Sequence, residues 1–169
     1  KENRPDYQGP FKIRDNFMVK NLIQTQRCVI PVDFFIEQPT AKNDRRKFII
    51  KREDGKAFFL AGIYDEVVDE NTGEFGDAFT ILTTAYSKIT ERAEHERSPL
   101  VLNSDQLAIY LDPSTTLDQL EKLYQPPNSE GFVAYEVNNV IAKKILPEGL
   151  SKEDPKLIEP IGELLFPSS

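Results

Sequence analysis

Arg27-Cys28-Val29-Ile30-Pro31-Val32-Asp33-Phe34-Phe35-Ile36-Glu37 is the stretch on which the reading of this chain turns. From Cys28 to Ile36 it is almost wholly apolar, β-branched or aromatic, and it stops at Glu37 with Pro39 just beyond, the pattern of a buried strand ended by a turn. A period of two puts Cys28, Ile30, Val32, Phe34 and Ile36 on one face, expected to lie wholly in the core, and Val29, Pro31, Asp33, Phe35 and Glu37 on the other. Two carboxylates thus share a face otherwise made of Val, Pro and Phe. Desolvation there raises a carboxyl pKa and makes the group useful as a general acid or base. The plain alternative is that Asp33 ties down a turn and Glu37 marks the strand end; spacing leaves both readings open.

Working outward, Phe17, Met18, Leu22 and Ile23 recur at helical spacing and predict a short helix over 16–24. On the other side, KFIIK (47–51) and AFFLAGIY (57–64) flank Glu53-Asp54-Gly55, so a hairpin is the economical reading. A long acidic loop with Gly73 and Gly76 should follow, then a strand over 79–84 (FTILTT). Ser87 with Glu91 and Arg92 predicts a helical turn leading into His95, and Leu100 to Leu102 reads as another strand. Helices are expected from Ser104-Asp105 to Asp112-Pro113 and from Thr116 through Leu117, Leu120, Leu123 and Tyr124, with a strand over 132–137 (FVAYEV). The proline-bearing tail from Gly149 reads as irregular. Together these predict one α+β domain over 1–169, β-rich, with a mostly antiparallel closed or half-closed sheet and a few peripheral helices.

A chain of 169 residues, 39% hydrophobic, can bury one real core. The net charge of −7 argues against a protein that coats nucleic acid non-specifically, because phosphate contacts need a surplus of Lys and Arg. Positive charge is nevertheless concentrated at Lys42, Arg45, Arg46, Lys47, Lys51 and Arg52, either as a solvated strand-and-loop face or as a local basic groove. No run of 18 or more apolar residues and no basic–apolar leader occurs, which predicts a soluble, cytoplasmic protein without a membrane partner. One cysteine and one histidine cannot assemble a zinc site of the usual Cys/His spacing, so neither a metal nor another cofactor is expected. The first residue is Lys1 rather than methionine, and the expectation is a fragment or a processed form.

His95, the only histidine, sits in Glu94-His95-Glu96-Arg97-Ser98-Pro99. It is either a proton carrier active near neutral pH or a surface histidine in a charged loop. Cys28 belongs to the predicted core face and reads as packing rather than as a nucleophile. Ser87 and Ser98 lie near His95 in sequence, but without a G-x-S-x-G context a serine-hydrolase triad has little to stand on.

The order of these segments resembles the SRAP (SOS-response-associated peptidase) family. Residues 27–37 are similar to its R-C-[LV]-[IV]-P-A-D-G-[FY]-[YF]-E-W strand, and Phe59-Leu60-Ala61-Gly62-Ile63-Tyr64 to its F-A-G-L-W/Y strand. Phe79-Thr80-Ile81-Leu82-Thr83-Thr84-Ala85 resembles T-[IF]-[IL]-T-T-x-A, and His95-Glu96-Arg97-Ser98-Pro99-Leu100-Val101-Leu102 resembles H-D/E-R-M-P-[VL]-[IV]-L. Val137-Asn138-Asn139 and Pro155-Lys156-Leu157-Ile158-Glu159-Pro160 match the family's closing segments. The resemblance implies a compact β-rich fold with a groove for single-stranded DNA, acting as a monomer on abasic sites and nucleoid-associated when it does so. It implies a cysteine, exposed by methionine removal, whose α-amine forms a Schiff base with the ring-opened sugar and whose thiol closes a thiazolidine, a covalent DNA–protein crosslink. Glu37 matches the catalytic glutamate, which assists amine chemistry and peptidase-type processing of the N-terminus. His95 matches the proton-shuttling histidine and Arg97 a residue that meets DNA phosphate. Departures are plain: the M-C-G-R start and the W-G-L-[IV]-P segment are absent, and Glu2 or Asn3-Arg4 is all that corresponds to the N-A-R-x-E motif. Phe34 stands for glycine, Gln38 for tryptophan and Ser98 for methionine. The expectation is therefore the C-terminal majority of a longer active protein or a member that kept the fold as a non-catalytic binding module; a peptidase acting on other proteins ranks last.

Overall fold

The computed structural model describes residues 17–69, 71–138, 151 and 154–167. In chain order its elements are α1 (Phe17–Thr25), β1 (Arg27–Val32), β2 (Phe34–Glu37), β3 (Lys47–Arg52), β4 (Phe58–Val68), β5 (Phe75–Ile81), β6 (Thr83–Ala85), α2 (Lys88–Arg92), β7 (Arg97–Pro99), β8 (Val101–Leu102), α3 (Ser104–Leu111), α4 (Leu117–Leu123), β9 (Phe132–Val137) and a 3-10 turn at Pro155–Ile158. The architecture is α+β with antiparallel sheets and few helices, as expected; the sheets are not closed, which fits the half-closed alternative. The described residues form two compact units: one takes those up to Ile30, Phe59–Ala85 and Pro99–Pro127, the other Pro31–Phe58, Tyr86–Ser98 and those from Asn128 on.

In the first unit β1, β4 and β5 lie side by side, with β8 on β4. Val19 and Ile23, one helical turn apart on α1, join Ala61, Leu82, Leu100 and Leu120 in its core. α3 and α4 begin where predicted because each opens on a reciprocal cap, Asn103 with Gln106 and Thr116 with Gln119. The half-buried Arg27 joins two helix ends: its guanidinium donates to the carbonyls of Ile23 (2.6 Å) and Gln24 (2.8 Å) at the end of α1, and of Tyr110 (2.5 Å) and Asp112 (2.7 Å) at the end of α3. Those carbonyls have no partner within their own helix, and a planar fork reaches all of them. The buried Tyr110 hydroxyl donates to Gly62 O at 2.6 Å. Gly62 permits the close approach of β1, since a Cβ there would stand 2.7 Å from Ile30 Cδ1 and 3.0 Å from Cys28 Sγ.

In the second unit β3 is the middle strand, antiparallel to β2 and β9, with Glu37 opposite Phe48 and Phe48 opposite Glu136. Ile49, Tyr135 and Val137 pack with Phe34 on one face. On the other, Phe58 meets Phe35 and Phe132 edge-on at centroid distances of 6.0 and 5.1 Å.

Three expectations are corrected here. The run from Cys28 to Ile36 is not one strand: a bend at Asp33 splits it into β1 and β2, which pair in different sheets, and the alternation restarts there. The predicted core face fails with it, for Ile36 is 40% exposed and Cys28, Ile30, Val32 and Phe34 are only half-buried. The 47–64 hairpin does not form. The turn itself exists, with Asp54 holding both Arg52 and the Lys56 N–H and Gly55 at φ +70°, but β3 already has a neighbour on each edge and cannot take β4. The acidic loop is mostly strand: β4 and β5 pair from Gly62↔Ile81 out to Val68↔Phe75, and only the turn bounded by Asp69 and Glu74 closes it.

Replacing Arg27 with Lys keeps the charge but cannot cover two helix ends. Arg27→Lys is expected to lower stability by about 2 kcal/mol, from hydrogen bonds to a charged group worth roughly 1.5–3 kcal/mol each. Urea unfolding checks it; an unchanged midpoint contradicts the stapling role.

Candidate functional site

β2 carries Glu37 at its end, held in place by the β3 pairing. The second half of the site arrives from α2. Ser87 caps that helix with its hydroxyl on the Thr90 N–H while Thr90 Oγ1 accepts from the Ser87 N–H, fixing where the helix begins and therefore where it stops. Past the C-cap Ala93 the chain reverses through Glu94, which takes φ +54°, and the His95 N–H returns to Thr90 O at 3.0 Å. This left-handed position after a helix is usually glycine, and a side chain there costs roughly 1–2 kcal/mol. Several bonds hold the reversal: the Thr40 N–H donates to Glu94 O (3.0 Å), the Glu96 N–H donates to Thr40 Oγ1 (3.1 Å), and Arg46 Nη2 lies 2.8 Å from Glu94 Oε1.

The reversal aims His95 at the strand. Its Nε2 lies 3.3 Å from Glu37 Oε2, with the two side chains 27% and 17% exposed, and its Nδ1 lies 2.7 Å from Gln38 O. A carbonyl can only accept, so Nδ1 carries the hydrogen and Nε2 is the atom presented to Glu37. At 3.3 Å the two atoms are placed to pass a proton between them, held either on the acid or on the imidazole. Burial pushes the Glu37 carboxyl up from its ordinary value, and the charges of His95 and Lys47 offset part of that rise. Glu37 and His95, expected on separate grounds, are thus brought together.

Of the other expected residues, Arg97 is exposed, opens β7 and lies two positions beyond His95. Asp33 is exposed at the bend between β1 and β2. Cys28 packs over Gly62, and burial pushes its thiol up, away from the thiolate a nucleophile needs. Ser87 is spent on the α2 cap and Ser98 Oγ donates to it at 3.4 Å. Glu2, Asn3 and Arg4 lie outside the described residues.

Sequence reasoning passed over Gln38 as a working residue. Its carbonyl holds His95, its Nε2 donates to Asp44 O at 2.7 Å and its Oε1 accepts from the Lys47 ammonium. Its departure from the family tryptophan was the one visible signal. The basic cluster resolves mostly into local pairs, Arg46 with Asp44 and Glu94, and Arg52 with Asp54, while Lys51 lies over the Tyr135 ring. Arg46, Phe48 and Glu94 also line a cleft of about 550 Å³ with Glu91, Glu136 and Glu163.

Comparison with known proteins gives the same direction. A family model described as SOS response associated peptidase (SRAP) matches residues 12–144. The chain is 30% identical over 142 residues to the abasic site processing protein YoqW of Bacillus subtilis (strain 168), covering 80% of this chain and 58% of that protein. It is 28% identical over 126 residues to the abasic site processing protein YMR114C of Saccharomyces cerevisiae, covering 71% of this chain and 33% of that one. It therefore spans only part of the length of these relatives. A crystal structure of a protein from Bacteroides thetaiotaomicron superposes with a TM-score of 0.75 at 26% identity, over 88% of this chain and 62% of that one. One from Bordetella bronchiseptica, at 22% identity and a TM-score of 0.62 over 75% of this chain and 62% of the other, shares the fold.

The raised Glu37 carboxyl has a consequence for stability. Between its ordinary pKa of 4.5 and the higher folded value, the folded state binds more protons than the unfolded one, so stability falls as pH rises through that window. Glutamine cannot ionise and lacks this slope. Glu37→Gln is expected to match the parent in acid and to gain on it as pH rises toward neutral, measured as urea midpoints across pH; a variant that loses ground instead means that Glu37 is held by net attraction.

Proposed function

The chain belongs to the SOS response associated peptidase (SRAP) family, and on that premise we propose that the protein processes abasic sites in single-stranded DNA, with Glu37 and His95 as its acid–base pair. The observation that carries the reading is the 3.3 Å approach of His95 Nε2 to the half-buried Glu37 carboxyl, with the other ring nitrogen tied to a backbone carbonyl. Two relatives named as abasic site processing proteins support the substrate.

An abasic sugar is a cyclic hemiacetal whose aldehyde is released only when a proton leaves the anomeric hydroxyl and another reaches the ring oxygen. A pair sharing one proton between two basic atoms performs that exchange without a free charge in a partly dry site. The thiol and α-amine come from a cysteine at the natural N-terminus, upstream of Lys1. The amine adds to the aldehyde, the carbinolamine loses water to give the Schiff base, and the thiol adds across the C=N bond to close a thiazolidine. Glu37 in its acid form protonates the departing hydroxyl, and His95 moves protons during ring opening and reversal. Arg97 meets a backbone phosphate, which positions the strand without reading its sequence. The same cysteine and Glu37 serve the peptidase-type removal of the initiator methionine. The protein acts as a monomer, in the cytoplasm, at the nucleoid; among the described residues no helix is long and apolar enough to cross a membrane.

The test is a denaturing-gel assay of the full-length natural protein with single-stranded DNA bearing one abasic site. A heat-stable shifted band requiring the N-terminal cysteine is expected. Glu37→Ala and His95→Ala should slow crosslinking or reversal by roughly 100-fold or more, the scale of general acid–base catalysis. No band despite a cysteine at the N-terminus would sink the enzyme reading and leave a non-catalytic binding module, a reading that Phe34, Gln38 and Ser98 in place of the usual family residues keep in play.

A further inference from the structure

We propose that Lys47 is a positioning residue for His95, acting through the Gln38 amide to hold the ring in its Nδ1–H tautomer with Nε2 on Glu37. The inference rests on His95 being the proton carrier of the site, and it assigns work to a residue pair that departs from the family pattern at Gln38.

The backbone reversal brings the ring to the strand, and one bond, from Nδ1–H to Gln38 O, sets which nitrogen faces Glu37. That carbonyl lies just past the end of β2, where the pairing with β3 stops at Glu37↔Phe48, and the next residue, Pro39, has no N–H to anchor the turn. The sheet therefore does not fix the peptide that carries it. The Gln38 side chain does: Nε2 donates to Asp44 O at 2.7 Å and Oε1 accepts from the Lys47 ammonium. An ammonium has only donors and a backbone carbonyl only lone pairs, so the amide fits in one orientation. Lys47 stands opposite Gln38 by the antiparallel register one step beyond Glu37↔Phe48, which is why residues nine apart in sequence meet. Asp44 is the common anchor. Its carbonyl takes Gln38, while its carboxylate holds Arg46, which also bonds Glu94, the left-handed residue that turns the chain into His95. Both the ring's hydrogen-bond partner and the backbone that delivers the ring are thus fastened to one short loop. The Lys47 charge also favours the ionised form of Glu37, so losing it alters both members of the pair.

His95 is the only histidine in the sequence, so a long-range ¹H–¹⁵N spectrum of labelled protein contains one imidazole and reports its tautomer without any DNA. Above the pKa of the ring, the parent is expected to show a protonated Nδ1 and a bare Nε2, the reverse of the form a free histidine side chain prefers in water. Lys47→Met should move the ring toward the Nε2–H form and slow crosslinking about tenfold, a fraction of the roughly 100-fold that a misplacement on the order of 1 Å can cost. Lys47→Arg should restore both, and Lys51→Met, a lysine of the same strand held over Tyr135, should change neither. Should Lys47→Met fail to fold, Gln38→Ala removes the same contacts and takes its place. A parent spectrum showing Nε2–H, or an unchanged tautomer in Lys47→Met or its Gln38→Ala replacement, overturns the proposal. A tautomer that shifts as expected while the parent forms no crosslink upholds the positioning role and rejects the abasic-site chemistry instead.

Discussion

The structure depends on how a single apolar run serves two sheets. Residues 28–36 are nearly all apolar, yet no one strand partner takes them all: β1 joins β4, and after the bend at Asp33 β2 joins β3. Pro31 lacks an amide hydrogen and Asp33 is solvated at the surface, so a ladder interrupted here forfeits little. The first half can press against β4 because Gly62 has no side chain, and the second half ends by placing Glu37 at the last paired position with β3. Without the bend, alternation would continue from Cys28 and the carboxylate would be placed by β1's partner instead.

Around Glu37 the balance is between burial and compensation. A half-buried carboxylate loses hydration, which raises its pKa, and the neighbouring cations recover part of the loss. The structure also accepts a left-handed Glu94, a conformation that costs more than glycine would. Two departures from the locally comfortable solution, one electrostatic and one conformational, meet within the span of one imidazole. Bonds from Thr40, Arg46 and Gln38 hold them in place. Of the basic cluster, Arg46 and Lys47 are engaged here and Arg52 pairs with Asp54 elsewhere, so the positive charge along 42–52 serves local pairing as well as any groove.

Local signals were legible wherever the physics was local. Helices α3 and α4 begin close to the expected starts at Ser104-Asp105 and Thr116, and β9 occupies the six residues expected as a strand, although five of them are buried rather than alternating. Pairing was not legible. Glu53-Asp54-Gly55 makes the turn its composition promises, yet the strands beside it go to other partners, because a turn fixes the direction of the chain and not which sheet edge is vacant. The acidic stretch after Tyr64 reads as loop by charge, but two paired strands leave side chains free to reach water, so acids are tolerated along the ladder. Gln38 was visible only as an odd residue in a familiar motif; its role needs Lys47 opposite and Asp44 beside it.

By itself, then, the sequence determined the fold class, most helix boundaries and the two residues most worth watching, because caps, periodicity and the order of motifs are properties of neighbours along the chain. Only the tertiary structure decided that Glu37 and His95 touch, which ring nitrogen faces the carboxylate, and that Gln38 and Lys47 stand behind them. Those facts depend on strand register and on a helix terminus folding back across 58 positions, and contacts at that separation follow from which edges and faces the packed elements leave open.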